Sequence, residues 1–303
     1  MVRNVKNIAA SVHQRLLNGA KESSRPFNEL LQYFAIERFI YRLSKSPHAD
    51  KFILKGALMF AAWHGPASRP TMDIDLLGKI DNSLEVITAA IKDACLLEVE
   101  PDGISFNAET VEAVRITEDA EYEGVRVRVH GSLGNARFSI QIDIGFGDVV
   151  VPNPSTVSYP AILDFPAPEL KGYTMESTIA EKFQAMVKLG VLNSRMKDFY
   201  DIWILSRTSD FKGNILAEAV AKTFEKRNTP ITLDAALFNP SFGKDGDKNV
   251  QWRGFIRKTK LINAPESFEE VMTAVKLFLE PLAASIAERR AFNSNWIAPG
   301  PWR

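Results

Sequence analysis

Two aspartates alternating with aliphatic residues, Asp73-Ile74-Asp75-Leu76, are the residues of this chain best suited to chemistry. In a strand, side chains two apart share a face, so Asp73 and Asp75 project together while Ile74 and Leu76 turn inward. Carboxylates held that close repel unless a cation lies between them, and hard oxygen ligands suit Mg2+ or Mn2+. An isolated Asp-x-Asp equally describes two solvated carboxylates at a strand end. The upstream sequence favours the site: the apolar run Phe52-Ile53-Leu54 enters a small-residue turn at Gly56-Ala57, where backbone N–H groups can approach an anion such as a triphosphate. A third carboxylate, Asp143, sits between Ile142 and Ile144 in the strand Ala136 to Phe146. Burying it requires a partner cation or hydrogen bonds, and the same metal is one candidate partner. Asp148, following Gly145 and Gly147, reads as a turn residue.

A second constellation lies around Gly190. Glu181-Lys182 precedes it, and Arg195, Asp198 and Asp201 follow at spacings of three, which places them near one face of a helix. Asp198 falls in the first turn, where the helix dipole favours a carboxylate. A short Gly-containing connection folds two helices against each other and brings Lys182 within reach of Asp198. A lysine held by a carboxylate presents a fixed positive charge to a phosphate. Surface ion pairing is the alternative meaning of the same residues.

The elements that must position these groups follow from periodicity. Helical spacing predicts two helices within residues 6 to 46, broken at Ser23 to Pro26, the second carrying a basic edge of Arg38, Arg42 and Lys45 that reads as a solvated face or, in the alternative, as the lining of a nucleic-acid groove. Asp81-Asn82-Ser83 marks a turn before an amphipathic helix at Leu84 to Leu97, in which Cys95 is a small core residue. Strands follow at Val111 to Ile116, Gly124 to His130 and Ala136 to Phe146; the middle one alternates Val125, Val127 and Val129 with Arg126, Arg128 and His130. The Pro-punctuated stretch Val151 to Pro168 reads as a linker or surface-hugging connection. Helices are expected at Met175 to Leu189, Ser194 to Ser206, Phe211 to Glu225 and Ser267 to Arg289, with a polar loop at Asn239 to Asn249.

The 303 residues carry 37 basic and 37 acidic side chains, so no global basic field drives indiscriminate nucleic-acid binding. One cysteine excludes an intrachain disulfide and a cysteine-built zinc site. The absence of a long apolar run and of a signal-peptide core gives the expectation of a soluble, cytoplasmic protein.

The segments LKGALMF, RPTMDIDLLG, QIDIGFGD and EKFQAMVKLGVLNSRMKDFYDIW, in this order, resemble the nucleotidyl transferase AbiEii/AbiGii toxin family, over about residues 5 to 285. The resemblance implies a polymerase-β-like nucleotidyltransferase superfamily fold: an α+β core with a mixed sheet at 51–165, N-terminal helices at 1–50 packing on it, and a helical C-terminal domain at 166–303. It implies the toxin of a type IV toxin–antitoxin or abortive-infection pair, neutralised through an AbiEi-like antitoxin, that transfers a nucleotide from an NTP to an acceptor hydroxyl. The expected acceptor is the 3′ end of tRNA, which would halt translation. By motif, Gly56-Ala57 becomes the phosphate turn, with Lys55 and Arg69 beside the nucleotide. Asp73 and Asp75 become the metal pair, Asp143 a third metal carboxylate or base, Lys182 the phosphate lysine, and Asp198 the essential acid, with Arg195 and Asp201 on the nucleotide side. The cleft is expected between Leu54–Leu76 and the C-terminal helices. Ala57 departs from the usual Gly-Gly or Gly-Ser turn, which removes a hydroxyl but leaves the backbone contacts. Two other classes share these features: a nucleotide-binding regulatory module without turnover, and a small-molecule, antibiotic-type nucleotidyltransferase. Basic clusters at Lys222, Lys226 and Arg227, and at Arg253, Arg257, Lys258 and Lys260, lean towards a polyanionic acceptor.

Overall fold

A computed structural model describes residues 7–64, 71–119, 122–261 and 264–303. The chain forms two compact units, Met1–Gly147 with Ser155–Gly172, and Asp148–Pro154 with Tyr173–Arg303.

The first unit runs α1 (Ile8–Glu22), α2 (Phe27–Lys45), β1 (Phe52–Lys55), α3 (Leu58–His64), β2 (Asp73–Gly78), α4 (Leu84–Leu96), β3 (Ile104–Asp119), β4 (Tyr122–Leu133), β5 (Ala136–Phe146), β6 (Ser155–Ser158) and β7 (Glu169–Gly172). Its strands join in one sheet of order β3-β4-β5-β2-β1-β7-β6. The β2–β5 and β1–β7 pairs are parallel and the others antiparallel, which makes the sheet mixed, as the α+β expectation requires. Alternation sorts the two faces. Val125, Val127, Val129, Ile140, Ile142, Ile144, Ile74 and Leu76 are buried, while Arg128 and His130 stand in solvent. Helix α2 packs on β5 and α4 on β3. The turn before α4 is closed by the Ser83 N–H, which donates to Asp81 Oδ1 at 2.9 Å.

Helix α2 corrects the solvated basic edge. Of its three cations only Lys45 is exposed; Arg38 and Arg42 are buried. Each is neutralised from a distance in sequence or by a neighbour. Arg42 grips Asp102 through its two terminal guanidinium nitrogens at 2.7 and 3.0 Å, and Arg38 pairs with Glu37 at 2.6 Å while donating to the Pro166 carbonyl at 2.7 Å. The Pro-punctuated stretch is tied down by the same pair. Ile162 N–H donates to Glu37 Oε2 at 2.7 Å, and residues Ser155–Ser158 become β6, so part of the expected linker is a strand of this sheet.

Burial pushes the Glu37 carboxyl up to about 7, against the opposing pull of Arg38 and the Ile162 hydrogen bond. Asp102 adds to the upward shift, and the buried Tyr159 phenol also faces Glu37. Because the folded pKa lies above the unfolded one, this group's contribution to stability is complete below the ordinary glutamate range and is lost as pH rises through the folded value. The urea midpoint should therefore fall between about pH 5 and pH 8, and Glu37→Gln, which keeps an acceptor for Ile162, should flatten that fall. An unchanged slope in the variant would assign the pH dependence elsewhere.

The second unit contains α5 (Met175–Leu189), α6 (Met196–Thr208), β8 (Phe211–Lys212), α7 (Gly213–Lys226), α8 (Pro240–Lys244), α9 (Gly246–Thr259), α10 (Phe268–Ala287) and β9 (Asn295–Trp296). Helix α5 starts where the Thr174 side chain accepts from Ser177 N–H and stops at Gly190, whose φ of +50° suits glycine. The expected loop at Asn239 to Asn249 is instead helical. Asn239 caps α8 by accepting from Ser241 N–H with Pro240 in its first turn, and Asp245 caps α9 by accepting from Lys248 N–H. These polar residues start helices that bury Phe242 and Trp252.

Candidate active site

In the first unit, register places four charged residues side by side across four strands. Lys55 of β1 lies opposite Asp75 of β2, Asp75 opposite Asp143 of β5, and Asp143 opposite Arg126 of β4. Asp73, two residues before Asp75, shares its face, opposite Gln141 and then Arg128. The row lies on the side of the sheet opposite the buried aliphatics. Asp73 is exposed, whereas Lys55, Asp75, Asp143 and Arg126 are half-buried.

Gly56 fixes the approach of the turn to this row. Its φ is +69°, and a Cβ there would come within 2.0 Å of Asp75 Oδ2 and 2.7 Å of its Cγ. The backbone at Gly56 thus lies against the Asp75 carboxylate, a closeness that only the absence of a side chain permits. Ala57 is buried beside it.

The cation that Asp143 requires is present in the chain. Arg126 Nε donates to Asp143 Oδ1 and its Nη2 to Oδ2, both at 2.8 Å. This two-pronged geometry is the strong form of a carboxylate–guanidinium pair. Sequence alternation turned Arg126 outward without revealing its partner, since that depends on the β4–β5 hairpin register. Among the described residues no group of three or more His, Cys, Asp or Glu side chains is arranged as a metal cage. The donor chemistry still fits a hard divalent ion, because Mg2+ commonly takes one or two protein carboxylates and completes its shell with substrate phosphates and water. Arg69 lies outside the described residues.

In the second unit, α5 and α6 assemble the other cluster. Lys182 Nζ reaches Asp198 Oδ1 at 2.7 Å and Asp201 Oδ2 at 2.8 Å, and Arg195 Nε reaches Asp198 Oδ2 at 2.7 Å. Both aspartates are fully buried, Lys182 is mostly covered, and half of the Arg195 side chain faces solvent. Buried carboxylates of this kind exist only with such partners, so surface ion pairing is not their role. Burial works to raise the Asp198 carboxyl, but Lys182, Arg195 and the more distant Lys197 together hold it below the usual carboxylate range. Asp198 therefore stays a carboxylate at neutral pH, held between the Lys182 ammonium and the Arg195 guanidinium.

A neighbouring network escaped the sequence. Asp148 is buried, and Arg227 donates to its Oδ1 at 2.9 Å and lies 3.5 Å from Glu181 Oε2; Glu181 also accepts from the Tyr173 hydroxyl at 2.6 Å. Asp148 is thus an ion-pair partner, not only a turn residue. Arg227, which the sequence groups with Lys222 and Lys226 as a basic cluster leaning towards a polyanionic acceptor, has its guanidinium largely covered. Burial opposes its charge, yet Glu181 and Asp148 raise its pKa above the ordinary arginine value.

The sequence profile of the nucleotidyl transferase AbiEii toxin, type IV TA system, matches residues 38–274, a span that contains both clusters. The chain belongs to this family. An AbiEii-family chain is a nucleotidyltransferase and the toxin of a type IV toxin–antitoxin system, which brings an NTP substrate and an antitoxin partner. Two solved structures from Helicobacter pylori are similar to this AbiEii chain. One is described as a candidate nucleotidyltransferase, with 17% identity and a TM-score of 0.47 over 86% of this chain and 95% of that one. The other is JHP933, with 16% identity and a TM-score of 0.48 over 86% of this chain and 92% of that one. A search of curated proteins gives no match. Among the described residues of the AbiEii chain, no helix is long and apolar enough to cross a membrane.

Proposed function

We propose that this chain moves a nucleotide from an NTP to the 3′ end of tRNA and so blocks translation. The observation that carries the proposal is the Gly56 turn pressed against Asp75 within a row of in-register carboxylates. Asp73 and Asp75 would hold Mg2+ or Mn2+, which supplies charge neutralisation on the triphosphate and acidifies the attacking hydroxyl when bound. The acceptor oxygen forms a bond to the α-phosphorus, pyrophosphate leaves, and a carboxylate of the row takes the hydroxyl proton. Asp143, fixed beside Asp75, is the group offered for that proton or for the metal's shell. Backbone N–H groups of Gly56-Ala57, with Lys55 and Arg69, are assigned to the phosphates.

In the second unit Lys182 is assigned to phosphate charge, and Asp198 and Asp201 hold its ammonium in one position before substrate arrives. Arg195, anchored to Asp198 yet half-exposed, offers a second cation to the nucleotide.

The acceptor is tested by incubating the purified chain with Mg2+, each α-labelled NTP separately, and total tRNA. Label at RNA 3′ ends is the expected result. Label on a small hydroxyl compound instead would select the antibiotic-type enzyme, and bound nucleotide without transfer would select the regulatory module. An antitoxin encoded by a neighbouring gene should relieve toxicity on expression.

A further inference from the structure

Arg126 is assigned no part in the reaction by the family resemblance, yet it engages the acidic row directly. Both of its contacting nitrogens are taken by both oxygens of Asp143 at 2.8 Å, and Asp143 lies in register with Asp75. The Asp143 side chain is 14% exposed and Arg126 34%, so the pair is sheltered enough for its charges to matter to their neighbours. Gln141 reaches the same Asp143 Oδ2 at 3.4 Å. A carboxylate whose two oxygens are committed to one guanidinium is poorly placed to donate to a metal at the same time.

We propose that Arg126 is a positioning residue that sets the cation capacity of the row: it holds Asp143 out of the metal shell and leaves Asp73 and Asp75 as the protein ligands. The proposal rests on the assignment of Asp73 and Asp75 given above. In charge terms, Asp73, Asp75 and Asp143 with Lys55 and Arg126 present one net negative charge to a cation, and removing Arg126 presents two. Asp143 then serves the reaction as a rigid neighbouring carboxylate, with Arg126 fixing its orientation.

The test is Mn2+ binding without nucleotide, followed by paramagnetic resonance of the free ion, in the full chain and four variants. Arg126→Gln frees Asp143 and should bind Mn2+ about tenfold more tightly than the unmodified chain. Asp143→Asn leaves Arg126 uncompensated and should bind more weakly. The deciding variant is the double substitution Arg126→Gln with Asp143→Asn, which removes both charges together, restores the net charge of the row and leaves no orphaned partner, so that it folds even where a single variant does not. It should recover the affinity of the unmodified chain to within about threefold. A double variant as weak as Asp143→Asn would make Asp143 a metal ligand and overturn the proposal, as would an Arg126→Gln variant that folds and binds no more tightly than the unmodified chain. Unchanged Mn2+ affinity in Asp75→Asn is a different failure, that of the Asp73–Asp75 assignment itself. As an independent readout, Arg126→Gln should lower kcat with little effect on KM for the NTP, and Arg126→Lys should recover part of it.

Discussion

Replacing Lys182 with Met is expected to cost the second unit about 3–5 kcal/mol and to abolish nucleotide transfer. Asp198 and Asp201 are both fully buried, and the lysine ammonium lies 2.7 and 2.8 Å from them. Without it, Asp198 keeps the Arg195 guanidinium at 2.7 Å, while Asp201 loses the ammonium 2.8 Å away. The sign of the pH dependence should also change. In the unmodified chain the lowered pKa of Asp198 means that its contribution to stability is present above the ordinary aspartate value and is lost as pH falls through the folded one. In the variant the desolvation remains while its largest counterweight is gone, so acid should relieve the unit instead of weakening it. Stability and chemistry are separable by adding Asp201→Asn to Lys182→Met, which leaves one carboxylate for Arg195. That double variant should regain most of the lost stability, read as the urea midpoint, and none of the transfer. Recovery of transfer would remove Lys182 from the chemistry, and an unaltered midpoint in the single variant would show that the buried pairs contribute little.

A second large effect is expected from adding one methyl group at Gly56. The Cβ of Gly56→Ala would lie 2.0 Å from Asp75 Oδ2, so the carboxylate must move or the turn must open. The backbone there has φ +69°, which costs a non-glycine residue roughly 1–2 kcal/mol more. Displacing a reacting group by about an ångström lowers rates by about a hundredfold, so transfer should fall by at least that factor while the melting temperature drops by only a few degrees. Transfer at the unmodified rate would mean that the position of the Asp75 carboxylate does not matter.

Local signals carried some elements to the residue. The strand predicted at Ala136 to Phe146 and the helix at Met175 to Leu189 have those bounds in the structure, because strict alternation defines one and a threonine cap with a terminal glycine defines the other. The contact between Lys182 and Asp198 was legible too, since a short turn between two helices limits where their side chains can meet. What stayed hidden were partnerships between distant segments. Arg38 and Arg42 look like surface residues until the Pro166 carbonyl and Asp102 are brought to them, and Asp143 looks metal-bound until Arg126 arrives from the adjacent strand. Helices α8 and α9 were missed for a different reason. Their opening residues are polar and glycine-rich, the composition of a loop, but Asn239 and Asp245 satisfy backbone N–H groups as caps.

Asp75→Asn tests most directly whether the Asp73–Asp75 face performs the transfer. The substitution keeps the size of the side chain and removes its charge. With Mg2+, α-labelled NTP and the acceptor RNA, the variant should transfer nucleotide at least about a thousandfold more slowly than the unmodified chain, with the same circular dichroism and melting temperature. Transfer at the unmodified rate by a folded Asp75→Asn variant would contradict that role of the face.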